Sequence, residues 1–538
     1  MYKVDVDYFT HVTMNGGLYM LLNDRIWVGL DKDTGERISI LPNMANRHGL
    51  IAGATGTGKT ITLKVLAESF SDLGVPVFLS DVKGDLAGMI KPGTDSADMQ
   101  ERIKSFGLED SGFSFHAYPT QFWDIDGRKG LSLRTTVSEF GPTLLSRILG
   151  ITDLQSDILT IIFRIADEED LLLLDTKDLK AMIQYVTQNN KAYSARYGNM
   201  TTASLNAILR SVVALETAGA DRFFGEPAID IHDFFKVSSD GKGMINILDA
   251  ESTIQNPTIY STFMLYMLSE LFEQLPEVGD LDKPKMVFFF DEAHLLFNGA
   301  PKALIQKIEQ VVKLIRSKGI GVYFISQNPS DIPDGVLAQL GNKVQHALHA
   351  YTPAEEKKIK SAAASFRKND KFDTAEILQN LGTGEALISF LDQDGKPDMV
   401  RNCRILPPES KMGSVDDTSR LVVMNSSDLA GKYDETIDRD SAYEFFKRLT
   451  DEATAEAARL EAEKQAEKEA LAAAKEQEKA NRAKLSAARS VGRSTAGTLG
   501  REAGGAIGKT FLGSFGKRIG GNVGAALGRG LLDTFFKK

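Results

Sequence analysis

The chain has 538 residues, enough for three or four structural units at roughly 150 residues each and for at least one large buried core. Hydrophobic residues make up 42% and charged residues 25%, a globular balance that excludes a wholly disordered chain and a fibrous repeat. A single cysteine, Cys403, excludes a disulfide framework, and the net charge of −10 argues against a generally basic nucleic-acid coat while leaving room for a local basic channel.

Met1–Asp7 carry no charged-then-apolar pattern, so no secretory signal is expected. No uninterrupted apolar run reaches about 18 residues, so no spanning helix is expected either. With one cysteine, the expected location is the cytoplasm.

Residues 1–47 read as a short β segment, with strands over Leu18–Leu22 and Arg25–Leu30 and a hairpin breaker at Thr34-Gly35. From 48 to 130, apolar strands (Gly49–Ala52, Val75–Ser80) alternate with a helix pattern, which implies a parallel α/β sheet. Residues 131–220 read as a helical insertion, entered by the capping pattern Thr152-x-x-Gln155. The α/β pattern resumes over 221–410, with strands expected at Met244–Leu248, Met286–Phe290, Gly321–Ile325, Lys343–Leu348 and Gly384–Phe390. Residues 411–489 read as a linker and an Ala/Glu/Lys-rich helix whose large apolar residues, Leu460 and Leu471, are too few for a heptad seam. The last stretch, 490–538, holds 13 of the 47 glycines and reads as a basic glycine-rich tail.

Gly53-Ala54-Thr55-Gly56-Thr57-Gly58-Lys59-Thr60 follows an apolar strand and opens a helix. Glycines let such a loop turn its N–H groups inward onto phosphate oxygens, and the helix N-terminus adds partial positive charge. Lys59 is placed to reach the β- and γ-phosphates, and Thr60 to ligate Mg²⁺. The string ending in Gly508-Lys509-Thr510 begins with Ala503 and follows no buried strand, so it is not a nucleotide site.

The five apolar residues Met286–Phe290 read as a strand buried on both faces. They end in Asp291-Glu292, where doubly wound sheets bind ligands. Asp291 is placed to hold Mg²⁺ and Glu292 to act as general base toward water. Gln327 either orients water and senses the γ-phosphate or belongs to an ordinary polar turn before Pro329. The Asp81-Val82-Lys83-Gly84-Asp85 turn either reads substrate or nucleotide or is only a turn. Lys313 and Arg316 form either a solvated helix face or a cation reaching a neighbour's γ-phosphate. His346 and His349 lack further metal ligands and read as satisfied core or surface histidines.

These motifs, with Ser326-Gln327-Asn328-Pro329 and Leu381-x-x-Gly384-Glu385-Ala386, occur in the order seen in HerA/FtsK-type ring ATPases. The match over about residues 15–410 resembles the bacterial HerA-like helicase-domain proteins. The resemblance implies a RecA-type P-loop core with a mainly parallel sheet, a hexameric ring, and ATP-driven translocation on double-stranded DNA with Mg²⁺. It also implies that Lys59 and Thr60 bind phosphate and Mg²⁺, Asp291 holds Mg²⁺, Glu292 is catalytic, Gln327 is the sensor and Arg316 is the trans-acting arginine. HerA proteins carry a sizeable N-terminal β-barrel that docks a nuclease; 47 residues supply only a remnant, which weakens the case for a nuclease partner.

In the tail, glycines at 500, 504, 508, 516, 520, 524 and 528 fall on one face of a helix, and basic residues outnumber acids by eight to two from 490 onward. The alternatives are a flexible tail, a membrane-surface segment and a self-association segment. The competing reading of the whole chain is a nucleotide-gated oligomeric scaffold, tethered to membrane or a protein partner through that tail.

Overall fold

A computed structural model of the chain describes residues 21–22, 25–109, 113–251, 257–298 and 302–491. The tail read as basic and glycine-rich therefore lies, from 492 onward, outside the described residues. The described residues form two compact units, the first from within 1–163, 174–176 and 210–438, the second from within 164–173, 177–209 and 439–491.

The first unit carries a mixed sheet. Its strands are β1 (Leu21–Leu22), β2 (Arg25–Asp31), β3 (Arg37–Ile40), β4 (Gly49–Ala52), β5 (Val77–Asp81), β6 (Thr120–Asp124), β7 (Leu131–Ser132), β8 (Ile245–Asp249), β9 (Met286–Phe290), β10 (Ile320–Ser326), β11 (Asn342–Gln345), β12 (Glu385–Ser389) and β13 (Arg401–Ile405). Their order is β1-β2-β13-β12-β11-β4-β10-β9-β5-β8-β6-β7, with β3 paired to β2. From β11 to β7 every neighbouring pair is parallel. From β11 back to β1 every pair is antiparallel. Because β2 pairs with β13, the N-terminal strands extend the same sheet.

The central strands are apolar because helices cover both faces of a parallel sheet. All five residues of β9 are at most 1% exposed, and burying each such side chain stabilises by about 1.5–3 kcal/mol. Aromatic rings lock neighbouring strands, with Phe78 stacked on Phe288 at 4.5 Å and Phe290 on Phe324 at 5.2 Å.

The expected strand Lys343–Leu348 stops at Gln345, since the chain then turns to run beside the loop after β4, where Ala54 N–H bonds Ala347 O at 2.8 Å. Strands β6, β7 and β13 carry no signal in the apolar pattern. Thr120-Gln121-Phe122-Trp123-Asp124 is polar at three of five positions yet buried throughout, because Gln121 and Thr120 find hydrogen-bond partners inside.

Helix α1 (Lys59–Asp72) buries a charged column, Lys64 and Glu68, one turn apart. Residues 409–411 satisfy it. Lys64 Nζ donates to Ser410 Oγ at 2.8 Å, and Glu68 accepts the N–H of Glu409 at 2.9 Å. The stretch read as a linker from 411 is likewise tied to the first unit as far as 438. There Arg420 bonds Asp249 at 2.9 Å, and the buried Tyr433 donates to Asp233 at 2.5 Å. Isolated anchors of this kind are invisible in a polar-rich sequence.

Between β7 and β8 come helices over Val137–Ile148, Asp153–Glu168, Thr176–Gln188, Asn190–Tyr197 and Thr202–Thr217. In the second unit, the helix Ala442–Val491 is rooted on Thr176–Gln188. Ser441 Oγ and Tyr443 N–H both donate to Asp178 Oδ1, at 2.6 and 2.9 Å, and Phe446 stacks on Tyr185 at 4.5 Å. Farther along, Leu460 and Leu471 are about half exposed, as the missing heptad seam requires. Among the described residues, no helix is long and apolar enough to cross a membrane.

Candidate nucleotide site

Strand β4 delivers the chain into the loop Gly53–Gly58, and α1 begins at Lys59. The loop is held from three neighbouring strands. Gly53 N–H donates to Ser326 O at the end of β10 (3.2 Å), His346 N–H after β11 donates to Ala52 O (2.7 Å), and Gly384 N–H before β12 donates to Thr57 O (3.0 Å). A Cβ on Gly53 would stand 2.5 Å from the Cβ of His346, so only glycine fits there. Thr55 and Gly56 are exposed at the crest, while Gly53, Thr57 and Lys59 are buried, with Ala54, Gly58 and Thr60 half-buried. Thr57 Oγ1 closes the turn onto Ala54 O at 2.7 Å.

Lys59 Nζ lies inside the loop, donating to Gly53 O at 2.6 Å and Ala54 O at 3.0 Å. Burial lowers its pKa, while the carboxylates of Glu292 and Asp291 oppose that shift. Beneath the loop, His346 is fully buried. Its Nδ1 is 2.8 Å from Glu385 O and its Nε2 is 2.8 Å from Thr62 Oγ1. A carbonyl only accepts, so Nδ1 carries the proton and Nε2 accepts from the threonine. Burial, reinforced by the Lys59 charge, pushes His346 down to about 4, so it is neutral at ordinary pH.

The strand holding Asp291 and Glu292, β9, is separated from β4 only by β10. Tyr260 OH donates to Asp291 O at 3.0 Å, Asp291 N–H donates to Ser80 Oγ at 3.2 Å, and Ser80 and Tyr260 meet at 2.8 Å. Burial and the adjoining Glu292 charge push the Asp291 carboxyl up to about 7. A divalent cation at that corner would draw it back to the ionised form.

Glu292 has a left-handed backbone, φ 47°, and its side chain is 8% exposed. Its Oε1 is 3.0 Å from Lys83 Nζ and its Oε2 is 3.3 Å from His294 Nδ1. Burial works against its charge, but Lys83, with His294 and Lys59, holds the carboxyl below its ordinary value.

Gln327 follows β10 directly and is exposed, between the loop after β4 and the corner after β9. Asn328 behind it caps a short turn through Ser330 N–H at 3.0 Å. Arg316 stands before β10, at the opposite end of that strand, where it meets Asp280 at 3.3 Å. Within one chain, then, Lys59, Asp291, Glu292 and Gln327 follow the ends of three adjacent central strands, and Arg316 does not join them.

The Lys59 ammonium, the Thr60 hydroxyl and the Asp291 carboxylate suit a phosphate chain with an oxygen-seeking Mg²⁺. Two residues acquire a place at the site only in three dimensions. Lys83 belongs to a turn whose Asp-x-Lys-Gly pattern was visible, but its ion pair with Glu292 was not. His346 carried no signal beyond being a histidine.

The helicase HerA-like C-terminal family matches residues 28–536. The DNA double-strand break repair helicase HerA of Sulfolobus acidocaldarius is 20% identical over 358 residues, 65% of this chain and 64% of that protein. The chain thus spans slightly less than two thirds of that relative. The protein of the same name from Pyrococcus furiosus is 20% identical over 413 residues, covering 72% of this chain and 70% of its own. Among solved structures, VirB4 of Thermoanaerobacter pseudethanolicus aligns at 16% identity over 74% of this chain and 98% of that one, with a TM-score of 0.46. Matched over nearly its whole length, the chain belongs to the helicase HerA-like C-terminal family.

Proposed function

We propose that this protein is a Mg²⁺-dependent ATPase that assembles as a homo-oligomeric, hexameric ring and moves along or remodels double-stranded DNA. The observation that carries the hydrolytic part is the convergence of Lys59, Gln327 and the Asp291-Glu292 corner at the ends of three adjacent strands, β4, β10 and β9. Relatives named as DNA double-strand break repair helicases support DNA as the polymer.

In this reading, residues 53–60 cradle the phosphates through backbone N–H groups, and Lys59 neutralises the terminal ones. Thr60 and Asp291 hold Mg²⁺, which when bound offsets charge on the phosphate oxygens. Glu292 accepts a proton from the attacking water as ADP leaves, and Gln327 orients that water. Arg316 serves the site of the neighbouring subunit, consistent with its distance from its own.

The test is ATP turnover with and without duplex DNA on a sample of measured oligomeric state. Stimulation by DNA, weakening as salt rises, supports the motor. Slow turnover indifferent to DNA, with nucleotide changing the particle size, would replace it with a nucleotide-gated scaffold. That reading would tether the assembly through the tail from 490, which lies almost wholly outside the described residues.

A further inference from the structure

Strand β5 lies beside β9, with Val77 paired to Val287 and Leu79 to Phe289. Both strands end in aspartates, Asp81 and Asp291. The Asp81 carboxylate builds the next turn. Its Oδ1 accepts the N–H groups of Lys83, Gly84 and Asp85 at 3.3, 2.8 and 3.2 Å, and its Oδ2 accepts that of Leu86 at 2.9 Å. Gly84 completes it at φ +71°, a conformation glycine adopts without strain. The turn is therefore fixed from inside, and it presents Lys83 sideways toward β9.

Two residues of this short stretch hold the neighbouring corner. Ser80 Oγ accepts the main-chain N–H of Asp291 at 3.2 Å, and Lys83 Nζ meets Glu292 Oε1 at 3.0 Å. An exposed ion pair of this kind would be worth little. Here one partner is 8% exposed and sits on a left-handed backbone that few residue types tolerate. With Oε1 paired to Lys83, Oε2 is buried and makes no hydrogen bond among the described residues. His294 Nδ1 stands 3.3 Å from that oxygen.

We propose that Lys83 is a positioning residue for Glu292, gripping Oε1 and so fixing the carboxylate that accepts a proton from the attacking water. This rests on the hydrolytic reading of Glu292 above, and it gives the Asp81-x-Lys83-Gly84 turn a role inside the ATPase site. Lys83 acts through Glu292, so its loss lowers the rate of the chemical step and leaves nucleotide binding to residues 53–60.

The experiment compares steady-state ATP turnover of the full chain with Lys83→Met, Lys83→Arg, Glu292→Gln and the Lys83→Met/Glu292→Gln double variant. Misplacing a catalytic group by about 1 Å costs on the order of 10²-fold, so kcat of Lys83→Met should fall by about that factor, with KM changed by less than about twofold. Lys83→Arg should recover most of the loss, and the double variant should be no slower than Glu292→Gln alone. Normal kcat in Lys83→Met beside an inactive Glu292→Gln would overturn the inference and leave the ATPase reading standing. A loss confined to KM, an arginine variant as slow as the methionine one, or a further drop in the double variant would also overturn it. Normal turnover in Glu292→Gln would overturn the reading beneath it.

Discussion

The Thr62 hydroxyl, in the first turn of α1, donates to Nε2 of His346 across 2.8 Å, joining the helix that follows the phosphate loop to the chain leaving β11. On its other side, His346 donates to Glu385 O at the start of β12. One imidazole thus ties the base of the loop to two strands more than 280 residues downstream of Thr62. Because its Cβ lies where a Gly53 side chain would stand, it also supports the loop from below.

Replacing His346 with alanine should therefore destabilise the protein and loosen the loop. Two buried hydrogen bonds and a packed ring are lost, at roughly 1 kcal/mol per bond plus 1–3 kcal/mol for any partner left unsatisfied. The expected outcome is a lower Tm together with a raised KM for ATP. An unchanged Tm would show that the loop does not depend on this ring.

Acid should destabilise the fold through the same residue and through His48, which burial also pushes down to about 4. An unfolded histidine titrates near 6.5, so between about pH 6.5 and 4 the unfolded chain takes up protons the folded one refuses. The histidines' contribution to stability then falls as pH drops through that window, while the raised carboxyls of Asp291 and Glu409 gain over it. Urea titrations of the parent and of His48→Gln at pH 7.5 and 5 isolate the histidine part: the variant, if it folds, should change more favourably on acidification than the parent.

A second titrating group acts at the alkaline end. Glu409 is buried against Tyr118, whose hydroxyl donates to it at 2.5 Å, and near Asp72 and Glu68. Burial, with the neighbouring carboxylates, pushes its carboxyl up to about 9. A group raised above its unfolded value stabilises fully below that value and loses the contribution as pH rises toward 9. Glu409→Gln should therefore cost little at neutral pH and flatten the decline in Tm between pH 7 and 9. His116 and Lys242 face the same cluster.

Lys59→Ala should abolish ATP turnover, because the ammonium is the only lysine donating into the loop among the described residues. Isothermal titration with ATP and Mg²⁺ should show binding weakened at least tenfold, about 1.4 kcal/mol. Retained turnover would remove residues 53–60 from the chemistry.

Glu292→Gln should separate binding from hydrolysis. The amide keeps the size of the side chain but accepts a proton poorly, so ATP should still bind while kcat falls by about 10²–10⁴. Turnover near that of the parent would assign water activation elsewhere.

The sequence alone determined what is local. Gly53–Thr60 after an apolar strand, and five apolar residues ending in Asp291-Glu292, are contiguous runs whose pattern carries their conformation and their chemistry. The family resemblance rests on the order of such runs along the chain. Strands β6 and β13 escaped because polar residues interrupt their apolar pattern, and some of these meet partners far along the chain, as Gln121 Oε1 meets Ser427 and Arg401 meets Glu36. Only the tertiary structure decided which of the adjacent strand ends meet. It brought Lys83 to Glu292, seated His346 under the loop and left Arg316 at the far end of β10. These are contacts between residues distant in sequence, set by strand order and packing, and no spacing along the chain encodes them.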